Sequence, residues 1–141
     1  MPEYSTKVLW VGGHGGELSG SNGAVMPFSA PAALHGEAGV LTPEDAFVGS
    51  LNTCFTLMFI WAVERLRIDL VSYECEAIGE VKEFLDRTST FSRVTLRPRI
   101  EARGCSERDV DRALRLAEKY SLIWQSIRSE VVLEPEVVIR S

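Results

Sequence analysis

The chain has 141 residues, 45% hydrophobic and 25% charged, with a net charge of −5 and a pI near 5.1. That is the make-up of a soluble globular protein forming one domain, residues 1–141, whose core holds without disulfides or metal. The acidic balance excludes nucleic acid as the default partner, because phosphate binding needs a basic face.

"STKVLWVGG" reads as a first strand. The stretch from Gly12 to Gly23 holds six of the eleven glycines. Within it Asn22-Gly23 is a pair favoured in tight turns, since both positions accept positive φ, and it predicts a hairpin across Leu18 to Phe28. These glycines form neither a Gly-x-Gly-x-x-Gly nor a Gly-Lys-Ser/Thr phosphate loop, so they read as turn chemistry. Residues 29–41 read as a loop.

A helix start follows at "TPED": Thr42 suits the N-cap, Pro43 the first helical position, and Glu44 and Asp45 the positive end of the dipole. The helix is expected to run to about Arg67. Its stretch from Ala46 to Val63 is 18 residues without a charge, at the short edge of membrane-spanning length. The caps, together with Gly49, Ser50, Asn52, Thr53 and Thr56, favour a fully buried helix and no membrane. Ala46, Gly49, Ser50 and Thr53 form a small-residue strip that permits close approach of another backbone. Large apolar side chains fill the rest of the circumference, so a symmetric dimer burying two copies is attractive.

"LVSYECEAIGEVKEF" and "SRVTLRPRIEA" alternate with period two and predict a long antiparallel hairpin. Val71, Tyr73, Cys75, Ala77, Gly79 and Val81 face one way on the first strand. Val94, Leu96, Ile100 and Ala102 face inward on the second. Glutamates of the first strand are placed to meet Arg93, Arg97 and Arg99 of the second on a solvated face. Pro98 suggests an edge strand or a bulge. A second helix starts at Ser106 with Asp109 three residues on, resembling a capping box. Val110, Ala113, Leu114, Ala117, Tyr120, Ser121 and Trp124 make its inner stripe. "EVVLEPEVVIR" reads as one closing strand. The order of elements is α+β rather than a wound parallel sheet.

Few residues carry chemistry. His14 and His35 are single loop histidines, neither with a second His, Cys or carboxylate at metal spacing. No serine-triad signature is present. Cys54, Cys75 and Cys105 share no C-x-x-C spacing, so neither a disulfide framework nor a zinc site is indicated. "MPEYSTKVLW" lacks a signal-peptide pattern, which makes a reducing cytoplasm the expected location. Cys75 reads as core and Cys105 as a turn residue. Cys54, mid-helix among phenylalanines, reads as core by composition. Glu44 upstream and a buried Ser121 on the second helix raise the other reading, a reactive thiol.

"TPEDAFVGSLNTCF" and "RLAEKYSLIWQSI" carry a resemblance to the osmotically inducible protein C and organic hydroperoxide resistance (OsmC/Ohr) superfamily. The first stretch has the Pro-Glu, ten residues from that Glu to the Cys, and a following aromatic. The second aligns with that superfamily's Ala-Glu-x-x-Cys. The resemblance implies antiparallel sheets packed around two long helices in an intertwined homodimer. It also implies a thiol-dependent reductase of organic hydroperoxides in the oxidative-stress response, with an external thiol as reductant and no cofactor or metal. By position Cys54 matches the attacking cysteine and Glu44 the glutamate that holds an arginine; Ser121 falls where the resolving cysteine stands. That arginine has no counterpart, since Arg65 is the first in the chain. The alternative is a non-catalytic homologue binding a small apolar ligand or a partner at the dimer interface. Ten residues of continuous helix span about 15 Å, so Glu44 and Cys54 meet only through a break at the helix start or across two protomers.

Overall fold

A computed structural model describes residues 1–141. The chain divides into two compact units, Met1–Phe47 and Val48–Ser141.

In the first unit β1 (Thr6–Trp10), β2 (Gly15–Gly20) and β3 (Val25–Ser29) form an antiparallel meander. The expected hairpin is present, with Leu18 opposite Met26 and Ser19 opposite Val25. Its turn needs glycine where φ is positive: Gly23 has φ +92°, and the Asn22 side chain accepts the Ala24 N–H at 3.1 Å. After β3 comes a 3-10 turn, Ala32–Leu34. Leu41 then bridges back to Phe28.

Helix α1 spans Pro43–Arg65 without a break. The Thr42 hydroxyl accepts the Asp45 N–H at 3.0 Å and donates to the Asp45 carboxylate at 3.1 Å, which satisfies one of the open N–H groups at the helix start. Its other end falls slightly short of Arg67, for a definable reason. Ile68 N–H bonds to Val63 C=O at 3.0 Å and Arg67 N–H to Glu64 C=O at 3.2 Å. This is a Schellman cap, and it puts Arg67 at φ +56° where glycine is usual.

The second unit contains the long hairpin, β4 (Asp69–Glu83) and β5 (Ser89–Arg103). Val94, Leu96, Ile100 and Ala102 are buried, as alternation requires. Val71 and Val81 are exposed against expectation. The register slips between Leu70 and Ser72, where Val71 is the extra residue, and a one-residue slip turns a side chain to the other face. Gly79 is required by close packing: an added Cβ would lie 2.7 Å from the Val48 side chain and 2.8 Å from the Phe91 ring.

The closing segment is two strands, β6 (Glu130–Leu133) and β7 (Glu136–Arg140). Both run parallel to β5, so this sheet is mixed rather than wholly antiparallel. Pro98 accordingly is not on an edge strand. β6 pairs with β5 as far as Leu96 and β7 takes over at Arg99. Pro98, which has no N–H to donate, stands where the partner changes. On the outer face three arginines of β5 each lie between two carboxylates. Arg93 meets Glu80 and Glu130, Arg97 meets Glu76 and Glu134, and Arg99 meets Glu74 and Glu136, all within 4 Å.

Helix α2 spans Glu107–Tyr120 and carries the full reciprocal capping box between Ser106 and Asp109. It stops before Ser121, whose ψ of 110° breaks the helix, and α3 (Leu122–Ser126) restarts with Ser121 as its N-cap. The core joins Leu51, Phe55, Phe59, Ala62 and Val63 of α1 to the inner row of β5 and to Val110, Ala113, Leu114 and Ala117 of α2. Full burial of a phenylalanine contributes about 1.5–3 kcal/mol. Within one chain α1 is not surrounded. Leu57 is 64% exposed and Trp61 38%. An added Cβ on Gly49 would meet nothing.

Candidate functional site: the Cys54–Ser121 pair

The packing of α1 against α2 sets the geometry of the site. Cys54 lies on the flank of α1, next to the buried Phe55, and is partly buried itself. Ser121 comes to it because α2 ends there. Its backbone leaves the helical region, and its side chain, wholly buried, turns inward. The Ser121 hydroxyl donates to Cys54 Sγ at 3.2 Å and accepts the Trp124 N–H at 3.3 Å. One hydroxyl therefore caps α3 and holds the sulfur. The Trp124 ring packs 5.8 Å from Phe55, closing the apolar side.

Of the residues singled out from sequence, Cys54 and Ser121 are brought together. Glu44 sits exposed in the first turn of α1, with no side-chain hydrogen bond or ion pair. The helix start is intact, so it offers no break that would fold Glu44 toward its own Cys54. All three cysteines are free thiols. Cys75 lies on the inner side of β4. Burial pushes its thiol pKa up, with the Tyr73 hydroxyl and the Arg97 backbone acting the other way. Cys105 is also raised, by desolvation first and then by the charges of Asp109 and Asp69. Neither neighbourhood favours a thiolate.

Beneath α1 lies a polar cluster that periodicity did not announce. Thr56 and Tyr73 share a hydrogen bond of 2.9 Å, and the Tyr73 ring stacks on Phe59 at 5.3 Å. Burial raises the Tyr73 hydroxyl above the ordinary tyrosine range. Asn52 donates to the Cys75 carbonyl at 3.0 Å. Buried polar groups of this kind fix one packing of helix on sheet.

A groove also escaped the sequence reading. Met58, Trp61 and Arg65 of α1 and Arg112, Leu116 and Tyr120 of α2 line about 660 Å3 of open space. Met58 is one helical turn from Cys54, and Tyr120 directly precedes Ser121, so the groove shares both helices with the sulfur site. Arg65 lies over the Trp61 ring at 5.5 Å, and that ring meets Tyr120 edge-on. Neither Arg65 nor Arg112 has a carboxylate within ion-pair distance, unlike the arginines of β5. The signal was present only as helical spacing of Met58, Trp61 and Arg65 on one helix and Arg112, Leu116 and Tyr120 on the other.

A family model described as OsmC-like protein matches residues 36–136. No curated protein matches the sequence significantly. Among solved structures, an OsmC-like protein of unknown function from Vibrio cholerae is similar with a TM-score of 0.86 and 24% identity, over 96% of this chain and 99% of that one. An organic hydroperoxide resistance protein OsmC from Legionella pneumophila has a TM-score of 0.71 and 17% identity, over 97% of each chain. The organic hydroperoxide resistance protein OhrB of Bacillus subtilis has a TM-score of 0.65 and 14% identity, over 96% of this chain and 98% of that one. At these identities the likeness shows the fold.

Proposed function

The chain belongs to the OsmC-like protein family, and within that family we propose that it is a cytoplasmic, single-cysteine reductase of organic hydroperoxides. The observation that carries this reading is the 3.2 Å hydrogen bond from the Ser121 hydroxyl to Cys54 Sγ. A hydroxyl aimed at sulfur supplies one fixed dipole to the negative charge that a nucleophilic thiolate bears. In the reaction the Cys54 thiolate attacks the terminal peroxide oxygen and the O–O bond breaks. The alkoxide leaves and takes a proton to become the alcohol, and sulfur is left as sulfenic acid. Ser121 has no thiol to close a disulfide, so an external thiol condenses with the sulfenic acid and releases water. A second thiol then frees Cys54 as the external disulfide forms. The cycle uses no metal or cofactor.

The working unit in this reading is a homodimer. The strip formed by Gly49, Thr53, Leu57 and Trp61 is open in one chain, and a second copy of α1 covers it. The same pairing brings Glu44 of the partner subunit toward Cys54.

The test is to treat the protein with cumene hydroperoxide in the presence of a sulfenic-acid trap and to follow turnover with a dithiol. Label at Cys54, and loss of both label and turnover in Cys54→Ser, is the expected result. Label confined to Cys75 or Cys105, or no turnover with any dithiol, rejects the reading.

A second reading rests on the groove with its two unpaired arginines. Here the protein is a non-catalytic binder of a small apolar ligand carrying an anionic end. Binding of such a fluorescent probe that survives Cys54→Ser but fails in Arg65→Ala, with no peroxide turnover in the parent, favours it.

A further inference from the structure

The two histidines, solitary by spacing, are neighbours in the fold. His14 closes the turn between β1 and β2, and His35 follows the Ala32–Leu34 turn. Their ring centroids are 5.9 Å apart with planes tilted by 36°. An ion bound to one nitrogen of each ring at about 2.0–2.1 Å lies roughly 3.2 Å from each centroid, which limits the centroids to about 6.4 Å apart. The observed spacing is inside that limit.

The backbone sets this spacing. The His14 carbonyl accepts the Ala30 N–H at 2.9 Å, and Pro31, the next residue, accepts from Leu34 at 2.8 Å and from Gly36 at 3.0 Å. The segment after His35 is pressed against the one His14 grips, since a Cβ on Gly36 would fall 1.5 Å from the Ala30 oxygen. The buried Ser29 hydroxyl accepts the Glu37 N–H at 2.7 Å and fixes the continuation of that segment. Both rings are exposed, and they line an open cavity of about 610 Å3 together with Phe28 and Glu37.

We propose that His14 and His35 form a two-imidazole site for a borderline divalent metal, binding Cu2+ most tightly, then Ni2+, then Zn2+. No group of three or more His, Cys, Asp or Glu side chains closes around an ion here. Water completes the coordination, and the bound metal exchanges rather than holding the fold. Protons compete for the same ring nitrogens, so binding weakens on acidification. The site is independent of the chemistry at Cys54.

Ni2+ is the suitable probe because it does not oxidise the three thiols. Calorimetric titration of the full chain, free of any purification tag, should give one equivalent bound. His14→Gln and His35→Gln should each weaken binding at least tenfold, with the double variant little worse than either, as a shared ion demands. With only two histidines in the chain, the proton spectrum of the unaltered protein gives a second measure. Both imidazole Cε1–H signals should broaden together below one equivalent of Ni2+. Broadening of one signal alone, additive effects of the two substitutions, or loss of binding in Cys54→Ser or Cys105→Ser instead would overturn the proposal.

Discussion

Helices α1 and α2 hold the two halves of the sulfur site, yet they are built on opposite plans. α2 is sharply two-faced: Val110, Ala113, Leu114 and Ala117 are buried, while Arg108, Asp111, Arg115 and Glu107 face water. α1 is apolar nearly all round, and one chain covers only the side bearing Leu51, Phe55 and Phe59. A helix of the first kind has all its burial supplied by its own chain. A helix of the second kind has apolar surface left over beside Cys54. In the proposed dimer that surplus supplies the contact area for the second protomer.

The largest test of this contrast is on the covered face of α1. Phe59→Ala removes a fully buried ring stacked on Tyr73 and should lower unfolding free energy by about 3–5 kcal/mol in urea titration. On the open face Leu57→Glu should keep the circular dichroism spectrum and move the sedimentation coefficient from dimer to monomer. A dimer that survives it would mean the strip is not the interface. At the junction of the two helices Ser121→Ala removes both the α3 cap and the bond to sulfur. A stability loss of about 1 kcal/mol, with slower sulfenic-acid formation at Cys54, is expected, and unchanged kinetics would separate the cap from the chemistry.

Smaller effects come from the helix ends. Arg67 occupies a left-handed position, so Arg67→Gly should raise stability by about 0.5–1 kcal/mol, read as an increase in melting temperature. At the start of α2 the Ser106 backbone N–H, followed by its hydroxyl, holds the Asp109 carboxyl below the usual range. A depressed carboxyl stabilises above the unfolded value of about 3.9, and that contribution fades as pH falls through the folded value. Urea midpoints of wild type and Asp109→Asn should therefore converge as pH falls below about 4, and a constant gap would assign the effect to packing.

The sequence shows most clearly what is local. Caps at Thr42 and Ser106, the Asn22-Gly23 turn and the alternation of β5 are written in adjacent residues, and all are present. The facing of Glu74, Glu76 and Glu80 to Arg99, Arg97 and Arg93 follows from antiparallel register alone. Features set by distant segments were not legible. Pro98 is compatible with a central strand only because β6 and β7 divide that strand's far side between them. Val71 is exposed because of a bulge that no residue type marks. Ser121 lay on the predicted inner stripe, but the break there depends on backbone angles that periodicity does not encode. The approach of His14 to His35 depends on clamps through Ala30 and Gly36, which flank His35 but are far from His14 in sequence.

The arginine row of β5 leaves the sheet unequally tolerant of change. Each of Arg93, Arg97 and Arg99 serves two acids, one from β4 and one from the closing segment Glu130–Glu136. Loss of any one glutamate still leaves its arginine a counterion, so the acidic positions are individually dispensable. Loss of one arginine sets two carboxylates facing each other across a strand, with no cation between them. Genetic drift on this surface should thus run freely through the glutamates and stall at the arginines.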